Sequence, residues 1–427
     1  MAELTIAQLT YREPRRIGTI SSDGALFAYD PAYLAQPGAT AISLSLPLRE
    51  TPFSAIEYQP YFEGLLAEGF SRQALVTELQ LREGDWFSLL AACGHDCVGD
   101  VVVLANGNDT QRTSSYQSID SQTLKLMFQD LPTIAEQNAE MRLSLAGAQG
   151  KTGLAHDPIA PMSEGWLQPQ GLAATTHILK TSPMRDIPEI EFLCMKAAQT
   201  CGIKTANVSL LDFANPVLAV ERFDRQIVRD GDNWHVERLH QEDLCQAFGM
   251  TSGSKYAELD GGSIHDIAAL LRARSARPAR DIAAFAQQLL FSYVIGNCDA
   301  HLKNFSLLYR KGTVEGRPSI SLSPAYDLVC TTYFPKYSRD MAMNIGGVRS
   351  IDDVNADTFV SLAHELGITV RALKTFATPI AEQLLPALEA AGDGVNGDVL
   401  DSTPYIAEDL AKDFGPRLNV LREFCEV

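Results

Sequence analysis

Apolar and polar positions change their rhythm near residue 240. Before it, apolar runs of strand length alternate with helical patches, and after it apolar residues recur at three- and four-residue spacing almost throughout. In the first hundred residues Ala25 to Tyr29, Ser43 to Leu48 and Val98 to Leu104 read as strands. Pro60 to Ala67 and Trp86 to Ala92 read as helices, and together these predict a small α+β module. The polar stretch Asn106 to Ser115 carries turn formers and little to bury, which predicts a boundary or an exposed loop. Strand-like runs follow at Arg142 to Leu145, Thr175 to Lys180, Val208 to Leu211 and Leu218 to Phe223. Between the second and third of these lies a helix whose apolar face is Ile190, Leu193, Cys194, Ala197, Ala198 and Cys201, with Gly202 as its stop and Glu189 and Glu191 in its first turn.

Beyond residue 240 the pattern predicts helices over Asp243 to Phe248, Ser263 to Arg274, Ile282 to Ile295, Asp357 to Leu366 and Val370 to Ala391. Strand-like pieces at Phe305 to Tyr309, Ile320 to Leu322 and Met341 to Ile345 interrupt them. A β-rich amino half followed by a helical carboxy half predicts an α+β, two-lobed architecture with a cleft. It divides as an amino-terminal module 1-105, a β-rich lobe 126-235 and a helical lobe 236-427.

Composition narrows the function. Of the 427 residues 46% are apolar, which excludes a mainly disordered chain, and the formal net charge of −18 is the wrong sign for gripping a phosphate backbone unaided. A basic partner is the expectation. The amino terminus has neither the charged lead nor the apolar run of a secretory signal, and no stretch reaches membrane-spanning length, so the expected location is cytoplasmic, with no membrane partner. The eight cysteines sit mostly in apolar stretches, as reduced buried thiols do. Cys93-Gly-His-Asp-Cys97 has the look of a metal clip, but no second Cys/His pair stands at a suitable spacing, so a structural role is expected.

The densest polar cluster, Gly296-Asn-Cys-Asp-Ala-His-Leu-Lys-Asn-Phe305, directly follows an apolar helix, where packing alone would not demand it. Asp299 and Asn304 have the Asp-to-Asn interval of a kinase catalytic loop: a carboxylate takes the proton of the attacking hydroxyl, and an amide oxygen one short loop away helps to hold magnesium. His301 stands where a cationic side chain could approach the transferred group. Asp327, in Ser323-Pro-Ala-Tyr-Asp327, supplies a second metal carboxylate after two short strands able to return the chain to the same place. Lys180 ends a β-rich run eleven residues before Glu191, which offers a strand lysine and a helix glutamate. Singly, each feature is commonplace. Their order along elements of the right type is what points to phosphoryl transfer.

Ser144-Leu-Ala-Gly-Ala-Gln-Gly-Lys151-Thr152 imitates a P-loop, but Leu145 occupies the place of its first glycine. What remains is a small-residue turn, Ala146-Gly147-Ala148-Gln149-Gly150, able to bring N–H groups close to phosphate oxygens; an ordinary hairpin turn fits it equally.

These residues resemble the HipA-type toxin kinases of bacterial toxin–antitoxin modules. The resemblance runs through Leu44-Ser-Leu-Pro-Leu48, Ser144 to Gln149 with Lys151, Val220-Glu-Arg-Phe-Asp-Arg225, Gln241-Glu-Asp-Leu-Cys-Gln246, Asp299 to Phe305 and Tyr326-Asp327. It implies a two-lobed serine/threonine protein kinase using ATP and Mg2+, with Asp299 as the base and Asn304 and Asp327 holding the metal. Lys180 would meet the phosphates, and Glu221 and Phe223, on either side of Arg222, would hold the adenine through their backbone. Lys151, His301 and Tyr326 complete the implied nucleotide site. It further implies that Ser144 is autophosphorylated, which silences the enzyme, and that the target is a protein such as an aminoacyl-tRNA synthetase.

Two departures stand out. Gly150 occupies a place where the family pattern has glutamate, and Gly346-Gly-Val-Arg-Ser-Ile-Asp-Asp353 lacks the lysines of a DNA-contacting member. DNA association is therefore expected only through a basic helix-turn-helix antitoxin of the HipB type, which the resemblance implies as partner. A small-molecule phosphotransferase of the same fold uses the same base and metal residues and stays open. A degenerate kinase that only binds an antitoxin is disfavoured by the retention of all five chemical groups.

Overall fold

The computed structural model describes residues 3–426 apart from 12, 83, 106–113, 129–133, 135–137, 139–149, 214, 232, 252, 254–262, 311–317 and 396–398. Ser144, Ala146, Gly147, Ala148 and Gln149 lie outside the described residues, as does the strand expected over Arg142 to Leu145. The chain divides into two compact units, each assembled from separate stretches. The first is Met1–Pro183, Leu211–Ser252 and Leu308–Ser319, and the second is Met184–Leu210, Gly253–Leu307 and Ile320–Val427.

The first unit opens with an antiparallel sheet of β1 (Leu4–Gln8), β2 (Arg15–Ile20), β3 (Leu26–Tyr29), β4 (Phe53–Ser54) and β5 (Val101–Leu104), in the order β4-β3-β2-β1-β5. Leu4, Ile6, Ile17, Ile20 and Phe27 are buried on one face, against the helices Ala55–Gly64 and Trp86–Cys93. Each helix is started by its own sequence. Ser54 and Glu57 form a capping box on the first, and Asp85 accepts from the Ser88 N–H on the second.

Two expectations change here. Ser43 to Leu48 makes only an isolated bridge, Ser43 to Leu46, because Ser43 and the Leu44 N–H bond instead to Glu242 and Pro47 removes a ladder donor. The strand expected from Val98 begins at Val101, since Gly99 has φ +78° and lies against the Gln241 backbone, where a Cβ would come within 3.0 Å.

The second sheet has the order β10-β11-β9-β7-β8-β6, from β6 (Ser115–Ser118), β7 (Gly150–His156), β8 (Trp166–Gln170), β9 (His177–Thr181), β10 (Val208–Phe213) and β11 (Asn215–Glu221). Trp166, Leu154, Leu179, Val217 and Ala219 form its core with Leu124 and Met127 of the helix Ser121–Met127. A hairpin of β12 (Arg225–Asp230) and β13 (Asn233–Arg238), which the sequence pattern did not disclose, follows.

A buried charge cluster joins these parts of the first unit. Asp96, from the clip-like Cys93 to Cys97 segment, accepts from Arg225 at 2.8 Å and from Arg238 at 3.1 Å, while Asp224 accepts from Arg222 and Arg225, both at 2.8 Å. The Cys97 carbonyl accepts from Arg222 and Arg225 as well. Burial alone would raise the Asp96 carboxyl, yet Arg225, Arg238 and Arg222 hold it well below the usual carboxylate range.

The second unit is mainly helical: Ile187–Thr200, Ile264–Arg274, Pro278–Val294, Ala356–Glu365, Val370–Gly392 and Thr403–Glu426, with a short hairpin of Asp340–Ile345 and Val348–Ser350. The last helix was not anticipated from the sequence. Ile187–Thr200 was expected within the lobe 126-235, but its apolar face, Ile190, Leu193, Cys194, Ala197 and Ala198, is buried in the second unit, where the helix packs on Val370–Gly392 and Thr403–Glu426. Shared helical periodicity, rather than sequence proximity to the strands, decides where it lies. Among the described residues no helix is long and apolar enough to cross a membrane.

Candidate active site

The helix Pro278–Val294 buries Phe285, Leu289 and Phe291 and ends at Ile295, after which Gly296 takes φ +74° and turns the chain sharply. The next residues form a closed loop rather than a strand. Asn297 N–H returns to the Ser292 carbonyl at 2.8 Å, Asn297 Oδ1 accepts from the Asp299 N–H at 3.1 Å, and the Asp299 carbonyl accepts from the His301 N–H at 2.8 Å. A single 3-10 turn, Leu302–Asn304, then leads into the strand Ser306–Arg310. Between Gly296 and Phe305 every residue is buried except Asp299, which is exposed. A carboxylate presented to solvent by a rigid, hydrogen-bonded loop is well placed to meet an incoming hydroxyl.

Asn304 and Asp327 come together as the sequence order anticipated. Asn304 Nδ2 lies 3.4 Å from Asp327 Oδ2 and 3.4 Å from the Asp299 carbonyl, and Asn297 Nδ2 donates to the Asp327 carbonyl at 3.3 Å. Asp327 adopts φ +59°, a left-handed conformation costly for a residue with a Cβ, and this strain is held in place by its neighbours. On one side the Ala325 N–H donates to the Lys204 carbonyl and the Ala206 N–H to the Ala325 carbonyl. On the other, Tyr326 OH donates to the Lys303 carbonyl at 2.7 Å and shares a 2.6 Å hydrogen bond with Ser306. Tyr326 thus acts as a strut between the aspartate and the loop. Asn297, which sequence reasoning did not single out, is a second; its only signal was its place in the polar cluster. A small cavity beneath these groups is lined by Gln288, Ser292, Asn297, Asn304, Tyr326 and Asp327.

Asp327 and Asn304 fit a hard divalent cation, because a carboxylate and an amide side by side offer the oxygen donors that Mg2+ takes. Burial raises the neighbouring Cys298 thiol, so it contributes no thiolate to the site.

The phosphate-lysine and adenine candidates are in the first unit. Lys180 is buried on β9, directly opposite Lys151 of β7 and Leu218 of β11. Directly paired residues share a face of the sheet, so the two lysines stand side by side at the start of β7. Gly150, opposite Thr181, begins that strand. Glu221 ends β11 opposite His177, whose ring is pushed down to about 3 by burial and, less, by His156 beside it, so that it is neutral. Glu221 and Phe223 are half-buried.

Arg222, between Glu221 and Phe223, is also expected at the nucleotide. Its guanidinium is committed to Asp224, Thr175 and the Cys97 carbonyl, and only its backbone is available, with the N–H already donated to the Thr176 carbonyl. Glu191 is buried in the helix Ile187–Thr200 of the second unit, whereas Lys180 belongs to the first.

Residues 143–389 match the family model described as the HipA-like C-terminal domain, and residues 10–104 match the HipA N-terminal domain. The putative kinase Y4mE of Sinorhizobium fredii is 34% identical over 383 residues, covering 86% of this chain and 87% of that protein. The serine/threonine-protein kinase toxin HipA of Shewanella oneidensis is 26% identical over 389 residues, covering 87% of this chain and 86% of that one. Among solved structures, the complex of Shewanella oneidensis HipA with HipB and operator DNA superposes with a TM-score of 0.81 over 99% of both chains at 23% identity. That likeness shows the fold, which is α+β and kinase-like. With both domain models matched in order and more than half of the chain covered by one of them, this chain belongs to the HipA family.

Proposed function

We propose that this chain is an ATP- and Mg2+-dependent serine/threonine protein kinase acting as the toxin of a HipA/HipB-type module in the cytoplasm. The observation that carries the reading is the bridge made by one amide: Asn304 reaches both the Asp327 carboxylate and the backbone of Asp299, so the metal residues and the exposed base are fixed relative to one another. In this reading Asp299 accepts the proton of the attacking hydroxyl. Asn304 and Asp327 hold Mg2+, which when bound would neutralise charge on the phosphates. Lys180 and Lys151 meet the phosphates, Gly150 and the residues 146–149 before it cover them, and the Glu221 to Phe223 backbone holds the adenine. His301 lies in the same loop as the base, where it is proposed to face the transferred group.

Ser144 is proposed as the autophosphorylation site. A phosphate there would add about two negative charges beside an ATP-phosphate site and disfavour nucleotide binding. The partner is a basic helix-turn-helix antitoxin of the HipB type, suited to a chain of net charge −18, and DNA is met through it. The target is a protein hydroxyl, on a translation-related protein such as an aminoacyl-tRNA synthetase. The amino-terminal domain match favours this over a small-molecule phosphotransferase.

The decisive experiment incubates the protein with labelled ATP, Mg2+ and a cytosolic extract. A labelled protein in the extract supports the reading, and label confined to small metabolites supports the alternative. Peptide mass spectrometry of the same sample tests Ser144; an unmodified Ser144 in an active preparation removes that part.

A further inference from the structure

The turn that presents Asp299 is braced from behind by the carboxy-terminal helix. Arg417, buried on Thr403–Glu426, donates from Nε to the Val294 carbonyl at 3.0 Å and from Nη2 to Thr332 Oγ1 at 3.1 Å, and forms an ion pair with Asp413. Thr332 Oγ1 in turn donates to Asp413 Oδ1 at 2.7 Å. The guanidinium therefore caps the carbonyl end of Pro278–Val294, where a cation is favoured, and at the same time grips the segment that continues from Asp327.

The two segments are tied together at Gly296. Its carbonyl accepts from the N–H groups of Thr331 and Thr332, both at 3.1 Å, and from Thr331 Oγ1 at 2.9 Å, while Thr331 Oγ1 accepts from the Cys298 N–H at 2.9 Å. The fit is tight: a Cβ on Gly296 would stand 2.0 Å from Thr332 Oγ1 and 2.6 Å from Arg417 Nη2. Cys298 leads into Asp299, and Leu328 to Thr332 lead out of Asp327. One cation thus binds both segments that carry the acidic groups.

We infer that Arg417, acting through Thr332 and Asp413, is a positioning residue that sets Asp299 against Asp327. This rests on the phosphoryl-transfer reading above. It assigns part of the site's geometry to a helix that carries none of its chemistry.

Thr332→Val is the primary variant, because it removes one hydroxyl and leaves the Arg417–Asp413 pair in place. Arg417→Lys keeps the charge but cannot hold Val294 and Thr332 in one plane. A displacement of the base by about 1 Å costs roughly 10²-fold, so Thr332→Val should lower kcat about 10- to 100-fold, with Arg417→Lys lower still. KM for ATP should change by less than kcat does, since Asn304 still ties Asp327 to the loop when the base is displaced. Hydrogen exchange should speed up at the amides of 296–299 and 327–332, with that of Ala356–Glu365 unchanged.

Both variants matching the parent in kcat and in exchange at those amides would overturn the inference. A KM rise with kcat intact would overturn it too. A parent protein that transfers no phosphate from ATP defeats the kinase reading instead, and in that case the exchange measurement alone decides whether Arg417 positions the two segments.

Discussion

Lys151 and Lys180 stand opposite one another on the β7–β9 pair, two cations on one face of the sheet at the mouth of β7. Two cations in that register suit an anion lying between them, such as the phosphates of a nucleotide. Lys151→Ala should therefore shrink the rise in Tm that ATP produces. Lys180→Ala should shrink that rise further, because Lys180 is the more buried of the two. Thermal melts with and without ATP, at two salt concentrations, measure both effects. An ATP-induced shift equal to that of the parent in both variants would remove the lysine pair from the site.

Asp299→Asn separates chemistry from binding. If the exposed carboxylate is the base, phosphoryl transfer falls by about 10²–10⁴-fold while nucleotide affinity is largely kept. Loop geometry should survive, since asparagine is nearly isosteric with aspartate and the backbone N–H and carbonyl contacts are kept. Transfer rates from labelled ATP, set beside a fluorescent-nucleotide titration, read the two quantities separately; full activity in the variant defeats the assignment.

The Arg222, Arg225, Arg238, Asp96 and Asp224 cluster makes a prediction about stability. Asp96→Ala leaves buried guanidinium groups uncompensated and should cost about 3–5 kcal/mol. The pH dependence follows from the sign of the shift. The folded carboxyl of Asp96 lies below its ordinary value of 3.8, so its contribution is present above that value and fades as pH falls below it. Urea midpoints of parent and variant should differ by a constant amount above about pH 5 and converge in stronger acid. A gap unchanged down to about pH 2 would show that the carboxylate charge is not what the cluster uses.

The contrast between these groups of residues explains what the sequence disclosed. The proximity of Asn304 to Asp327 and to the Asp299 backbone was legible from short-range features: a polar run after an apolar helix, and a hairpin-length return to a second carboxylate. The role of Arg222 was not, since Val220 to Arg225 reads as a strand end followed by charge, and only tertiary folding brings Asp96 beneath it. Arg417 was equally hidden, because one arginine in an amphipathic helix has no local mark that distinguishes it from a solvated neighbour. Ser43 to Leu48 misled for the opposite reason: its alternation suits a strand, but a distant carboxylate, Glu242, outcompetes the ladder for its donors.

That carboxylate supports a last prediction, opposite in sign to that of Asp96. Glu242 accepts from Ser43 Oγ at 2.6 Å, from the Leu44 N–H at 3.1 Å and from Tyr309 OH. Burial raises its pKa above the ordinary 4.5, and these donors only partly offset the rise. A carboxyl whose folded value is raised favours the folded state while protonated, and that contribution is lost as pH climbs from 4.5 through the folded value. Glu242→Gln keeps an acceptor oxygen but cannot ionise. Its stability relative to the parent should therefore improve between about pH 5 and pH 8, whatever its offset at the lower end. Urea midpoints at those two values check the slope, and a variant that loses ground as pH rises would show that the three donors hold Glu242 ionised instead.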